Sequence, residues 1–205
     1  MINDRASVVR RGLLLNYATI GYNLLEAVAA IVAGLLAGSV ALLGFGLDSV
    51  VEVTSSVAAQ WRLRRDDEAT RHRSEKISLR VIGISFLVLA AYVTYESMTT
   101  LWLRESSRPS VFGIVVLAAS VVVMPWLSYK KRAVARELDS DALKADATQT
   151  SLCAYLSAIA LIGVALNTFL GLWWADPVAA LVMVPIIARE GLGGLRGEDQ
   201  CRDGC

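Results

Sequence analysis

Gly38-Ser-Val-Ala-Leu-Leu-Gly-Phe-Gly-Leu-Asp-Ser-Val-Val-Glu-Val-Thr-Ser-Ser-Val-Ala-Ala-Gln-Trp61 is the stretch on which the fold turns. It is long enough to cross a bilayer as one helix, for which about 20 residues suffice. Inside it Asp48 and Glu52 stand four residues apart, a spacing that stacks both carboxylates on one helix face, one turn apart. Ser49, Ser55 and Ser56 lie close by. Acids at this depth are among the most expensive groups to bury, and those kept without a partner mark an ion or proton path. The pair is therefore expected to meet a cation, a proton, or both.

The rest of the chain fits that reading. Of its 205 residues 55% are hydrophobic, and the charges gather in clusters between long apolar runs. Apolar windows place spans near 12–36, 39–61, 78–103, 110–129, 148–170 and 172–190. The expected fold is all-α: a polytopic membrane protein of six transmembrane helices, with a short N-terminal segment over 1–11, the helical domain over 12–190 and a tail over 191–205. That organisation leaves no room for a second globular domain. The first run exceeds a signal-peptide core and carries Glu26, so it reads as a retained span. Small residues at Ala29, Ala33, Gly34, Ala37 and Gly38 would let a neighbouring helix approach it closely. Trp173-Trp174-Ala-Asp-Pro177 reads as a turn at headgroup depth.

Of 20 Lys and Arg residues, only Arg104 and Arg108 fall on one side of these spans. The excess on the other side places both termini in the cytoplasm by the positive-inside rule. Three cysteines, one within a span and two in the tail, make no secreted disulfide framework. The expected partners are the lipid bilayer and metal ions, with a homodimer left open and no nucleic acid. Short loops suggest a bacterial inner membrane.

Within these windows Arg80 and Arg189 fall only at the cytoplasmic ends, so no internal salt bridge is expected for Asp48 and Glu52. The fifth span offers other partners. Asp146, Gln149 and Cys153 follow i, i+3, i+7 spacing on one stripe, with Thr150 beside it. A Gln supplies a carbonyl oxygen, and a Cys a thiolate suited to borderline or soft metals such as Zn²⁺. Both could equally be an interhelical hydrogen bond and a packed thiol. Asp146, at the cytoplasmic mouth, is expected to neutralise the basic helix end before it serves as a ligand. Glu26, with Asn23 one turn earlier, is a candidate further acid in the same cavity. The apolar windows set Cys153 nearer the cytoplasm than Asp48. His72, the single histidine, sits in a charged loop and cannot build a metal site alone. Cys201 and Cys205, with Asp203, form a weak tail candidate for a soft cation.

Taken in order, these motifs resemble the cation diffusion facilitator family of divalent metal exporters. Leu47-Asp48-Ser49-Val-Val-Glu52 is similar to the family's second-helix motif, Ala142-Leu-Lys-Ala-Asp146 to its lead into the fifth helix, and Trp173 to Pro177 to its approach to the sixth. The resemblance implies six helices with both termini inside and a metal site shared by the second and fifth helices. It implies Asp48 and Glu52 on two ligand positions and Gln149 and Cys153 on the other two, where His or Asp and then Asp are usual. Glu52 also replaces a commoner Asp. The chain stops about fifteen residues after its last span, so the resemblance is to a short form without the cytoplasmic metal-binding domain that many members carry.

The mechanism implied is proton-coupled export by alternating access. Two carboxylates in a low-dielectric cavity cannot readily both be charged, so one is expected to carry a proton until a divalent metal displaces it. Carboxylates with a thiolate suit Zn²⁺ or Cd²⁺, while oxygen donors alone also tolerate Mn²⁺ or Fe²⁺; Zn²⁺ is favoured. No phosphate loop ending in Gly-Lys-Ser/Thr occurs, so ATP-driven pumping is not expected. Two rivals come from other classes. Gly44-Phe-Gly46-Leu-Asp48 approaches an intramembrane aspartyl protease signature, with one residue too many and no second aspartate at matching depth. A non-transporting scaffold or partner subunit with a degenerate metal site is the stronger alternative.

Overall fold

In hydrocarbon every backbone N–H and C=O must be satisfied within its own segment, so apolar runs of this length become helices. The computed structural model describes residues 2–63, 68–138 and 141–196. It holds α1 (Ile2–Ala37), α2 (Val40–Leu63), α3 (Glu68–Leu103), α4 (Val111–Leu138), α5 (Asp141–Leu170) and α6 (Ala175–Arg196), with no strand among the described residues. All six carry a segment long and apolar enough to cross a membrane. The chain is a multi-pass integral membrane protein.

Several bounds differ from the hydropathy windows. α3 starts at Glu68, α4 runs on to Leu138 and α5 already starts at Asp141. Hydropathy marks where lipid ends, not where the helix ends. The segment Lys130-Lys-Arg-Ala-Val-Ala-Arg-Glu-Leu138 is rich in strong helix formers, which carry α4 past its apolar window.

α2 touches α1, α3, α5 and α6, and its span is the most buried of the six. The closest pairings are α1 with α2, α3 with α6, and α4 with α5. The bundle is apolar outside and holds polar groups within an apolar core: Leu25, Leu35 and Trp102 face outward, while Asn16, Glu26, Asp48 and Glu52 are buried along with Leu42, Phe45 and Met124. The small residues of α1 act as expected. A Cβ on Gly34 would lie 2.8 Å from Leu43 Cγ, and one on Gly46 would lie 2.8 Å from Ile31 Cγ1, so α1 and α2 touch almost backbone to backbone. Gly38 closes the turn between them at φ 65°, where an L side chain is strained.

The start of α2 is fixed from the far end of the chain. Ser39 Oγ donates to Asp176 Oδ1 at 2.5 Å, and the Val40 N–H donates to Asp176 Oδ2 at 2.9 Å. Asp176, at the head of α6, thus satisfies one of the N–H groups that a helix start leaves open. Asp176→Ala would strand a buried amide and a buried hydroxyl, a loss of about 1–3 kcal/mol. A lower melting temperature in detergent is expected, with Asp176→Asn recovering part of it; an unchanged melt would count against this cap.

Candidate functional site

α2 and α5 pack against each other, and their polar residues pair rung by rung. From the Leu63 end of α2 toward its start, Ser56 Oγ donates to Asp146 Oδ1 at 2.9 Å and Ser55 Oγ to Gln149 Oε1 at 2.7 Å. The next rung sets Glu52 beside Thr150 and Cys153, and the last sets Asp48 beside Cys153. Cys153 is therefore level with the acidic pair, not nearer the cytoplasm as apolar windows place it. The windows misjudge depth because they count the polar run from Asp146 to Ser151 as boundary, whereas most of it is buried between helices.

Asp48 and Glu52 are 4% and 1% exposed. Neither carboxylate oxygen of Glu52 has a hydrogen-bond partner among the described residues. An orphaned buried carboxylate is far too costly to be there for packing. Its neighbours, a thiol and a hydroxyl, are donors that can turn toward it or toward a shared ion.

α1 adds a third acid. Ser49 Oγ donates to Glu26 Oε2 at 3.1 Å, while Glu26 Oε1 has no partner among the described residues. Tyr22 and Ser120 also flank Glu26, which is close enough to Glu52 and Asp48 to share their electrostatic field. Asn23, one turn before it, is wholly buried with both side-chain polar atoms unpartnered among the described residues. Glu26 thus joins the same polar interior as the second-helix pair.

A buried ion pair forms one helix away from Asp48 and Glu52, through a lysine that the apolar windows left in a loop. Lys131 Nζ lies 2.7 Å from Asp146 Oδ2, with both side chains 1% exposed. It also donates to Thr150 Oγ1 at 3.0 Å. Hydropathy put Lys131 in a loop because Lys130 and Arg132 flank it. The signal that would have placed it is phase: Leu117, Ser120, Met124, Leu127, Lys131 and Val134 recur at three- and four-residue steps and all are buried on α4. Asp146 forms the ion pair with this lysine. Ser120 and Asn16, which donates to the Ser56 carbonyl at 2.9 Å, also escaped the sequence reading.

Among the described residues, no three His, Cys, Asp or Glu side chains are grouped so that they could hold a metal ion. The side chain of His72 and the tail residues Cys201 and Cys205 lie outside the described residues.

The arrangement has relatives. A model of the cation efflux transmembrane domain matches residues 17–196. The magnetosome protein MamB of Paramagnetospirillum magneticum is 29% identical over 78% of this chain and 56% of its own length. The uncharacterized transporter YdbO of Bacillus subtilis is 29% identical over 80% of this chain and 58% of its own. The manganese efflux system protein MneS of the same species is 25% identical over 82% and 60% respectively. The chain thus spans less than two thirds of the length of these relatives. Six membrane helices, an acidic pair at the heart of the second, and a family match running from α1 to the end of α6 make this chain a member of the cation efflux family.

Proposed function

We propose that the chain carries a divalent metal cation out of the cytoplasm in exchange for protons, by alternating access, with Zn²⁺ as favoured cargo. One observation carries the reading: the buried Glu52 carboxylate has both oxygens unpartnered among the described residues, one turn from Asp48 and beside the Cys153 thiol. A divalent cation supplies the charge that this group lacks. Asp48 and Glu52 are the primary ligands, and metal arrival displaces the protons they hold. Cys153 adds a sulfur donor that favours Zn²⁺ or Cd²⁺ over harder ions. Gln149 Oε1 already accepts from Ser55, but its second lone pair is free to complete the shell. Glu26 supplies further negative charge to the cavity. The membrane is the bacterial inner membrane, in keeping with bacterial relatives.

Manganese is the second cargo to test, because MneS is named for manganese efflux. A scaffold or partner subunit is the second reading of the whole chain, favoured by the open arrangement of the ligand side chains.

Purified protein in liposomes with an enclosed metal-sensitive dye and an imposed pH gradient tests these readings together. Flux is expected for Zn²⁺ first, then Cd²⁺, Mn²⁺ and Fe²⁺, and it should collapse when a protonophore removes the gradient. No flux of any of the four ions would leave the scaffold.

A further inference from the structure

We propose that Lys131 is a tethered cation that competes with the cargo for Glu52, and that Asp146 holds it back. The inference rests on the transport reading of Asp48 and Glu52 and adds a residue that sets cargo affinity and release.

The geometry is that of a counterion kept in reserve. Lys131 projects from α4 onto the polar end of α5, where it is 1% exposed. Its ammonium group is bound by Asp146 at 2.7 Å and by the Thr150 hydroxyl at 3.0 Å, both on α5. Thr150 in turn stands beside Glu52 on α2, close enough for Glu52 and Lys131 to feel each other's charge. The ammonium is thus one side chain away from an acid whose two oxygens have no partner among the described residues. The lysine stem is four flexible carbons carrying a compact charge, so a small swing past Thr150 transfers it from Asp146 toward Glu52.

Charge decides what this does. A divalent ion at Asp48 and Glu52 is repelled by the ammonium, and in a medium of intermediate dielectric a unit charge several ångströms away matters. Asp146 offsets most of that repulsion while it holds the lysine. When the cargo departs, the ammonium can lean to Glu52, neutralise it and oppose rebinding. The two partners of one ion pair therefore act on cargo affinity with opposite signs. An ion pair that only holds α4 to α5 would not behave so: breaking it from either side would damage the site in the same direction.

The experiment measures Zn²⁺ affinity of the detergent-purified chain by competition with a metal-binding dye, and Zn²⁺ flux in liposomes. Lys131→Met is expected to tighten binding about tenfold, and Asp146→Asn to weaken it about tenfold. Lys131→Met should slow flux at saturating Zn²⁺, because release is retarded, and Lys131→Arg should restore near wild-type values. The neutral pair Lys131→Met with Asp146→Asn leaves no lone charge behind and should still bind more tightly than wild type. That double variant also excludes the objection that a freed Asp146 merely acts as an extra ligand. Weaker binding in both single variants, or a double variant equal to wild type, overturns the inference while leaving the transport reading in place. Wild type that binds no Zn²⁺ overturns the transport reading itself.

Discussion

Glu52→Gln is expected to abolish metal flux while leaving the folded chain as stable as before, or more so. The side chains are nearly isosteric, so α2 keeps its packing. The change removes the charge and exchanges one acceptor oxygen for an NH₂ donor, in a group that is 1% exposed and has no partner on either oxygen among the described residues. A buried group in that state destabilises the fold on its own account, so replacing it relieves the apo protein. Binding responds in the opposite sense. Losing one charged contact in a desolvated site costs about 2–5 kcal/mol, which corresponds to a fall in affinity of roughly thirtyfold or more. Flux in liposomes should drop to the background of empty vesicles, and the melting temperature in detergent should hold or rise. Asp48→Asn should repeat the loss of flux. A variant that transports like wild type would remove Glu52 from the ion path. One that loses flux together with its melt would make the carboxylate structural after all.

The acidic pair and the six-helix plan were legible because both follow from one physical demand, that charge and backbone polarity be satisfied away from water. Apolar run length reports the helices directly, and i, i+4 spacing reports a shared face. Gln149 and Cys153 could be placed on the right stripe of α5 because helical periodicity is local. Their depth relative to Asp48 could not, since it depends on how two helices slide past each other. Lys131 was missed for a related reason. A hydropathy average treats Lys130, Lys131 and Arg132 alike, whereas the bundle buries only the one in phase with Leu117, Met124 and Leu127. The bond from Asp176 to the start of α2 joins residues 136 and 137 positions apart. No local pattern announces such a contact, although Trp173 to Pro177 reads as a turn.

Gly83→Leu should be strongly destabilising, and a matched glycine elsewhere shows why. A Cβ at Gly83 would lie 2.7 Å from the Gly191 carbonyl oxygen, 2.9 Å from Leu195 N and 3.0 Å from Gly194 C. These are backbone atoms of α6, which cannot move without moving the whole helix. The contact is reciprocal, since a Cβ on Gly191 would meet Leu87 Cγ at 2.8 Å and Gly83 O at 3.0 Å. Membrane helices gain little from hydrophobic exclusion, so close packing of this kind is what joins α3 to α6. Forcing the pair apart is expected to cost about 1–3 kcal/mol for Gly83→Ala and more for leucine. Gly21, by contrast, lies on the exposed face of α1, where an added methyl would have nothing within 4 Å. There the same change to alanine only removes the backbone freedom of glycine within a helix, which stabilises by roughly 0.5–1 kcal/mol. One substitution, Gly→Ala, should therefore lower the melting temperature at position 83 and hold or raise it at position 21. Equal responses at the two positions would mean that α3 and α6 are not in backbone contact, and the close pairing on which this bundle is built would have to be redrawn.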